Sequence, residues 1–239
     1  MRNLFIIITA LIALTSCDLV DFDVDYGVFP ECEMELDKHE VCVMVGDTFS
    51  IYPIFTPDTL PNREVFYYSE PEGLLSFDSE LFTAINEGNT WLSEISVKQR
   101  LQDSCRVSVM KPWAVDADKD YPYDMVFYAD VDFVGEDFDF EPENMIVGAF
   151  VDGECRGLGV MRNAHGIDYI ELRVGSEVGY VVGDVEYDDE DDEPVEYMQE
   201  RVTLKVFDRK RHKVYTYKKV FDFDGETHGT LSNLLVMRF

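Results

Sequence analysis

The chain has 239 residues, with 49 Asp and Glu against 20 Lys and Arg, and a formal net charge of −29. A field that acidic repels phosphate backbones and anionic lipid headgroups, which excludes nucleic acid as a partner and leaves cations and basic protein surfaces open. Hydrophobic residues at 46% and aromatics at 13% exclude global disorder and supply core for one large or two ordinary domains.

Met1-Arg2-Asn3 puts a positive charge ahead of the apolar run Leu4 to Leu14, and the small residues Thr15 and Ser16 precede Cys17. This order predicts a secretory signal peptide over 1–16. At about 1.5 Å per residue the run crosses only about half of a hydrocarbon core of about 30 Å, too little for a stable transmembrane helix. Leu14-Thr15-Ser16-Cys17 resembles the lipobox of bacterial lipoproteins. The resemblance implies that Cys17 is diacylated and becomes the new N-terminus, a lipid anchor to the membrane; several acyl chains together hold a protein on a bilayer where one does not. The alternative is a plain secreted protein with a chance Cys. Residues 17–30 then read as the lipidated Cys and an acidic tether, or as an edge strand, since four Asp alternate with apolar residues before Gly27 and Pro30. An acidic stretch behind the anchor is similar to the export signal of surface lipoproteins in Bacteroidetes, here with its acids spaced. The expected location is the cell envelope, at the outer-membrane surface.

From residue 31 to 111 the pattern is short β runs with turn signals between them. Val41, Val43 and Val45 alternate before Gly46-Asp47; Phe49 to Phe55, Val65 to Tyr68, Leu74 to Phe77, Leu81 to Ile85, Thr90 to Val97 and Cys105 to Met110 follow. Strands this short and this regularly spaced predict a β-sandwich, and no stretch keeps a helical period long enough for a core helix. Val45-Gly46-Asp47-Thr48-Phe49, Phe55-Thr56-Pro57, Val65-Phe66-Tyr67-Tyr68-Ser69, Leu81 to Thr90 and Cys105-Arg106-Val107-Ser108-Val109 together resemble the bacterial Ig-like domain, group 2. That family includes adhesion modules and plain spacers. Tyr67 stands where the family usually has Trp, and its hydroxyl needs a partner or an exit to solvent. Exported thiols can oxidise, and Cys32, Cys42, Cys105 and Cys155 allow three complete pairings; a single disulfide within Cys32, Cys42 and Cys105 would stay inside the first domain and leave Cys155 free.

Residues 112–120 form the predicted linker, Pro112-Trp113 and then acids and small residues without a β pattern. Residues 121–239 return to β runs: Asp124 to Phe133, Ile146 to Val151, the hairpin signal Asp152-Gly153, Glu154 to Val160, Tyr169 to Val174, Val178 to Val182, Val202 to Phe207, and Lys213 to Phe223. Val147 to Gly157, with its Glu154-Cys155-Arg156-Gly157 motif, Val206-Phe207-Asp208 and His228 to Asn233 resemble a β-sandwich domain at the C-termini of Bacteroidetes surface proteins. The fold class is therefore all-β, two β-sandwich domains in tandem behind a lipoprotein signal peptide, the first Ig-like.

None of His39, His165, His212 or His228 sits in a zinc-protease helix motif, and no nucleophile elbow or phosphate loop is present. No cofactor is expected. The acidic run 184–193 offers Asp188, Asp189, Asp191 and Asp192 to Ca²⁺, but it lacks the glycine-bearing loop that fixes such a site, and a solvated loop is the plainer reading. Arg209, Lys210 and Arg211 lie at the tip of a basic hairpin, either as a contact for acidic glycans or proteins or as internal pairing and edge protection. Glu154 and Arg156 share one strand face, with Cys155 opposite, as a binding edge or simply a buried turn-proximal strand. Trp113, Tyr121 and Tyr123 surround the linker, where they either stack on sugars or pin two domains together. The function expected from this set is non-catalytic: adhesion, or binding of a glycan or surface protein, with the Ig-like domain as spacer. The alternatives are a structural subunit of a surface assembly and, further off, a glycan hydrolase.

Overall fold

Alternation of buried and exposed side chains runs through nearly every strand of the computed structural model, which describes residues 32–60, 62–78, 81–98, 100–178 and 200–239. The signal peptide, Cys17, the tether and the acidic run 184–193 lie outside the described residues. Among the described residues every regular element is a strand, and no helix is long and apolar enough to cross a membrane.

The first sandwich contains β1 (Glu33–Leu36), β2 (Glu40–Met44), β3 (Thr48–Phe49), β4 (Pro53–Thr56), β5 (Val65–Glu70), β6 (Leu75–Asp78), β7 (Leu81–Ala84), β8 (Gly88–Ser96) and β9 (Gln102–Met110). One sheet runs β2-β9-β8-β5, with β2 parallel to β9; facing it are β3-β7-β6 and the pair β1-β4. Val41, Val43, Leu92, Cys105, Val107 and Val109 point inward from the first sheet onto Phe49, Ile51, Phe82 and Ala84. The run Phe49 to Phe55, expected as one strand, is two: Ile51 plugs the core while the chain crosses from β3 to β4. Strand β1 was hidden by its acidic alternation, Glu33-Met34-Glu35-Leu36, in which only Met34 and Leu36 are buried.

The second sandwich comprises β10 (Tyr123–Asp132), β11 (Met145–Val151), β12 (Glu154–Ala164), β13 (Ile167–Ser176), β14 (Arg201–Asp208), β15 (Lys213–Asp222), β16 (Thr227–His228) and β17 (Leu235–Arg238). It is one eight-stranded sheet folded over a single core, in the order β15-β14-β11-β12-β13-β10 with β16 and β17 both on β10. The fold line is β12: its first half pairs with β11 as far as Leu158, and from Gly159 onward it pairs with β13. Two glycines make that corner. A Cβ on Gly157 would lie 2.2 Å from the Arg173 carbonyl oxygen, and one on Gly159 would meet Ile170 and Val147 at 2.7 and 2.9 Å. Only backbone without a side chain lets the strand change partners this tightly. Asp152-Gly153 closes the β11–β12 hairpin with both φ angles positive, as a two-residue turn of this kind requires.

Candidate binding surface

Three groups of side chains stand out in the sequence as binding candidates, and the structure engages most of them internally. Trp113 is half-buried, its ring edge-on to Phe150 at 4.9 Å and 6.1 Å from Phe207, above Gly148. Tyr121 donates its hydroxyl to Glu154 Oε1 at 3.0 Å and lies so close over Gly175 that a Cβ there would come within 2.6 Å of the ring. Tyr123 is exposed at the start of β10, opposite Ser176. These rings form no open platform; Trp113 and Tyr121 pack against the second sandwich.

Glu154 and Arg156 do pair, with Arg156 Nε 3.0 Å from Glu154 Oε2, but they sit inside a network rather than on a free edge. Arg156 is only 7% exposed, its Nη2 lies 3.5 Å from Glu200 and 3.8 Å from Glu177, and its guanidinium is 4.8 Å from the centre of the Tyr121 ring. Lys119 reaches Glu154 at 2.9 Å and Glu177 at 3.2 Å. Its hydrogen bond holds the Glu154 carboxyl below the usual carboxylate range. A charge this buried persists only when neighbours compensate it, and three carboxylates do so. A groove of about 480 Å³ beside the network is lined by Arg156 and Arg173, yet Arg173 is taken by Asp124. Cys155, on the opposite strand face, is buried and directs its thiol to the Gly157 carbonyl.

The basic hairpin tip is paired internally, and Arg209 and His212 extend it to the first sandwich. Arg209 pairs with Asp47 of the first sandwich at 3.7 Å, Lys210 with Glu141 at 3.1 Å, and Arg211 with the fully buried Asp208 at 2.8 Å. Arg211 also covers the Phe138 ring at 3.4 Å. The His212 carbonyl accepts a hydrogen bond from the Cys42 amide at 2.7 Å, capping the outer edge of β2, and its ring lies edge-on to Phe49 at 6.0 Å. Burial lowers the His212 pKa. Of the two readings open for this tip, a contact for acidic ligands or internal pairing, the geometry is that of internal pairing, with Arg209 and His212 reaching the first sandwich.

The candidate disulfide within Cys32, Cys42 and Cys105 is not formed: these and Cys155 are free thiols. For Cys42 and Cys105 the register explains it. Cys42 lies opposite Ser108 on β9, and Cys105 is an odd number of residues away, so the two side chains point to opposite sheet faces. Cys105 is buried in the core, which pushes its thiol up to about 12, and Cys42 lies against Met110, its thiol raised to about 11 by burial. Among the described residues no group of three or more His, Cys, Asp or Glu is placed to hold a metal ion. Asp130, Asp132, Asp139 and Asp168 line a groove of about 560 Å³, but Arg238 takes Asp132 and Asn163 takes Asp168. That set defines no nucleophile or paired acid and base.

The exposed aromatic surface lies elsewhere, on the outward face of the β2-β9-β8-β5 sheet. Residues 65, 67 and 69 of β5 face inward, so Phe66, Tyr68 and Glu70 face out; in register across β8 they meet Ile95, Ser93 and Trp91. Phe66 is 49% exposed, Tyr68 41% and Trp91 54%. Gln102 of β9 steadies Tyr68 by donating to its hydroxyl at 3.2 Å. Glu70 and Arg106 are the charged residues at the outward positions of β5, β8 and β9, one of each sign. The second sandwich meets this sheet at its far edge, where Glu40, Cys42 and Ser108 face Arg211 to Val214. The sequence carried the signal: within a run of aromatics, period two separates Phe66 and Tyr68 from Tyr67, but without the register to β8 the row with Trp91 was invisible.

No family model and no curated protein sequence matches this chain. Among solved structures it is similar to domains 4–9 of the surface layer protein SbsC, at 11% identity over 88% of this chain and with a TM-score of 0.27. It spans 32% of that chain's length. It is similar to the fibronectin(III)-like modules of Clostridium thermocellum CbhA, at 12% identity over 81% of this chain and 94% of that one, TM-score 0.29. Domains 5–6 of the S-layer protein SbsC match at 12% identity over 84% of this chain and all of that one, TM-score 0.27. Scores this low carry no argument about function.

Proposed function

We propose that this is a non-catalytic lipoprotein of the bacterial cell envelope, held by lipid on Cys17, that binds a glycan or protein ligand at the outer-membrane surface through the first sandwich. The supporting observation is the row Phe66, Tyr68 and Trp91, three large aromatics exposed on one sheet face with no element packed over them among the described residues. An exposed apolar patch rimmed by polar residues is the usual mark of an interaction site. In this reading the Ig-like domain, residues 31–111, carries the binding face. The domain 121–239, joined through 112–120, braces it. The roles expected from sequence are thereby exchanged, because the second domain's distinctive motif is consumed by the Arg156 network.

The signal peptide, the lipobox and the spaced acids after Cys17 support assignment to a Bacteroidetes surface lipoprotein, and the ordered landmarks from Val45 to Val109 support a group 2 bacterial Ig-like domain. A structural role in a surface assembly is the second reading, favoured by the terminal position of β5 and β15 in their sheets. Lys213, Lys218 and Lys219 on β15 protect that edge and leave β5 as the open one. The test is a screen of the chain from residue 18 onward on glycan and protein arrays, in parallel with Phe66→Ala/Tyr68→Ala/Trp91→Ala. Ligands bound by the native chain and lost by the variant support the reading; ligands retained by the variant contradict it.

A further inference from the structure

Resting on the binding face just proposed, we infer that its ligand is an uncharged polysaccharide chain lying along β5, stacked in turn on Phe66, Tyr68 and Trp91. Spacing gives the shape. Phe66 and Tyr68 are two residues apart on one strand, about 7 Å, and Trp91 is the diagonal neighbour of Tyr68 across the ladder, another 7–8 Å or so. Because Trp91 lies level with Glu70, the three rings follow the strand direction rather than clustering. The result is a shallow linear track, not a pocket, and it suits an extended chain better than a compact ligand.

Charge selects among extended chains. In a protein of net charge −29, this face carries only Glu70 and Arg106 around the rings, with Glu40 at its far edge on β2. An anionic polysaccharide would approach against the field of the whole molecule and meet no cation cluster here, since Arg209 is engaged with Asp47 at the junction and Lys210 and Arg211 pair with Glu141 and Asp208 of the second sandwich. A basic protein would be drawn to the acidic surfaces instead. A second copy brings its own −29 and is repelled.

Composition separates a sugar chain from an apolar peptide. The cores of protein interfaces are continuous apolar surface. Here the apolar surface is narrow: Ile95 lies beside Phe66, and the row is bordered on β9 by the exposed Gln102 and the half-buried Ser104, which set an amide and a hydroxyl beside the aromatic faces. A neutral pyranose has the complementary pattern, an apolar ring face bordered by hydroxyls. Tyr68 adds a phenolic oxygen already fixed by Gln102.

The experiment is native electrophoresis of the chain from residue 18 onward through gels containing a β-glucan, a xylan, a mannan or a galactan, with polygalacturonate as the polyanion. Retardation by at least one of the four neutral polymers is expected, with Trp91→Ala and Tyr68→Ala each weakening it by about tenfold, the loss of one aromatic contact. These side chains are exposed, so the variants should melt with the native chain, and unchanged melting shows that the loss is not unfolding. Retardation by polygalacturonate alone, or by none of the four, overturns the inference. A periodate-oxidised target array separates this from failure of the binding face itself. Binding that survives oxidation but disappears in the variants keeps the face and removes the glycan. Binding that the variants leave intact removes both.

Discussion

Glu94 is a carboxylate in the core of the first sandwich, and it should make the stability of that sandwich fall as pH rises. Its side chain is 0% exposed and neither oxygen has a hydrogen-bond partner of ordinary geometry. Burial is the main cause of its raised pKa, from 4.5 to about 7; nearby Asp37 and Asp103 push the same way, and Tyr67, opposite it in register, pushes back. Between about pH 4.5 and pH 7 the folded chain therefore holds a proton that the unfolded chain has released, so stability declines across that window and is level above it. At pH 8 the buried charge costs about 3 kcal/mol. Glu94→Gln keeps the shape and removes the titration. It should be more stable than the native chain by about 2–3 kcal/mol at pH 8 and by under about 1 kcal/mol at pH 5. Urea midpoints of both proteins at pH 5, 6, 7 and 8 measure the gap directly, and the general relief of acid repulsion at low pH cancels between them. A variant less stable than the native chain at pH 8, or a gap that stays constant with pH, would refute the reasoning.

Gly157→Ala presses a methyl group into the Arg173 carbonyl and should lower the stability of the second sandwich by about 2–4 kcal/mol. Gly153→Ala, where nothing lies within 4 Å, meets only backbone strain at φ 86° and should cost about 1 kcal/mol. Equal effects in thermal melts would show that β12 is not a tight corner. Arg156→Met leaves Glu154, Glu177 and Glu200 around an uncharged side chain. Because those acids are partly exposed, the loss should be about 2–3 kcal/mol at pH 7, and it should shrink in acid as Glu154, whose carboxyl is held below its usual range, takes up a proton; a loss independent of pH would count against the network. Thiol titration of the chain from residue 18 onward should find Cys32, Cys42, Cys105 and Cys155 all reduced, with Cys105 and Cys155 reacting only after denaturation. A disulfide-linked peptide in a nonreducing digest would overturn that.

Strand positions were legible wherever one face is buried and the other wet, because period two then survives in the sequence: β2, β9, β10 and β14 all read this way. What composition concealed was local. Strand β1 hid behind its glutamates, and β16 and β17 are too short to announce themselves before they pair with β10. The folding of the second sheet at β12 was written in Gly157 and Gly159, but a glycine reads as a corner only when the strand pressing on it is known. Site residues fared worse for the same reason. Arg156 and Arg209 are conspicuous by type, and internal pairing was one of the readings open to them, yet their partners Glu200 and Asp47 are far off in sequence and could not be named. Phe66, Tyr68 and Trp91 are ordinary strand residues one at a time and become a surface only through the β5–β8 register.

The most direct test of the binding face uses Trp91 as its own reporter. The chain has two tryptophans, so Trp113→Phe leaves Trp91 alone to fluoresce while keeping a ring against Phe150. Acrylamide should quench this exposed indole readily in the free protein and much less once a neutral polysaccharide is bound at saturation. A saturated complex in which Trp91 remains as quenchable as before would contradict the account.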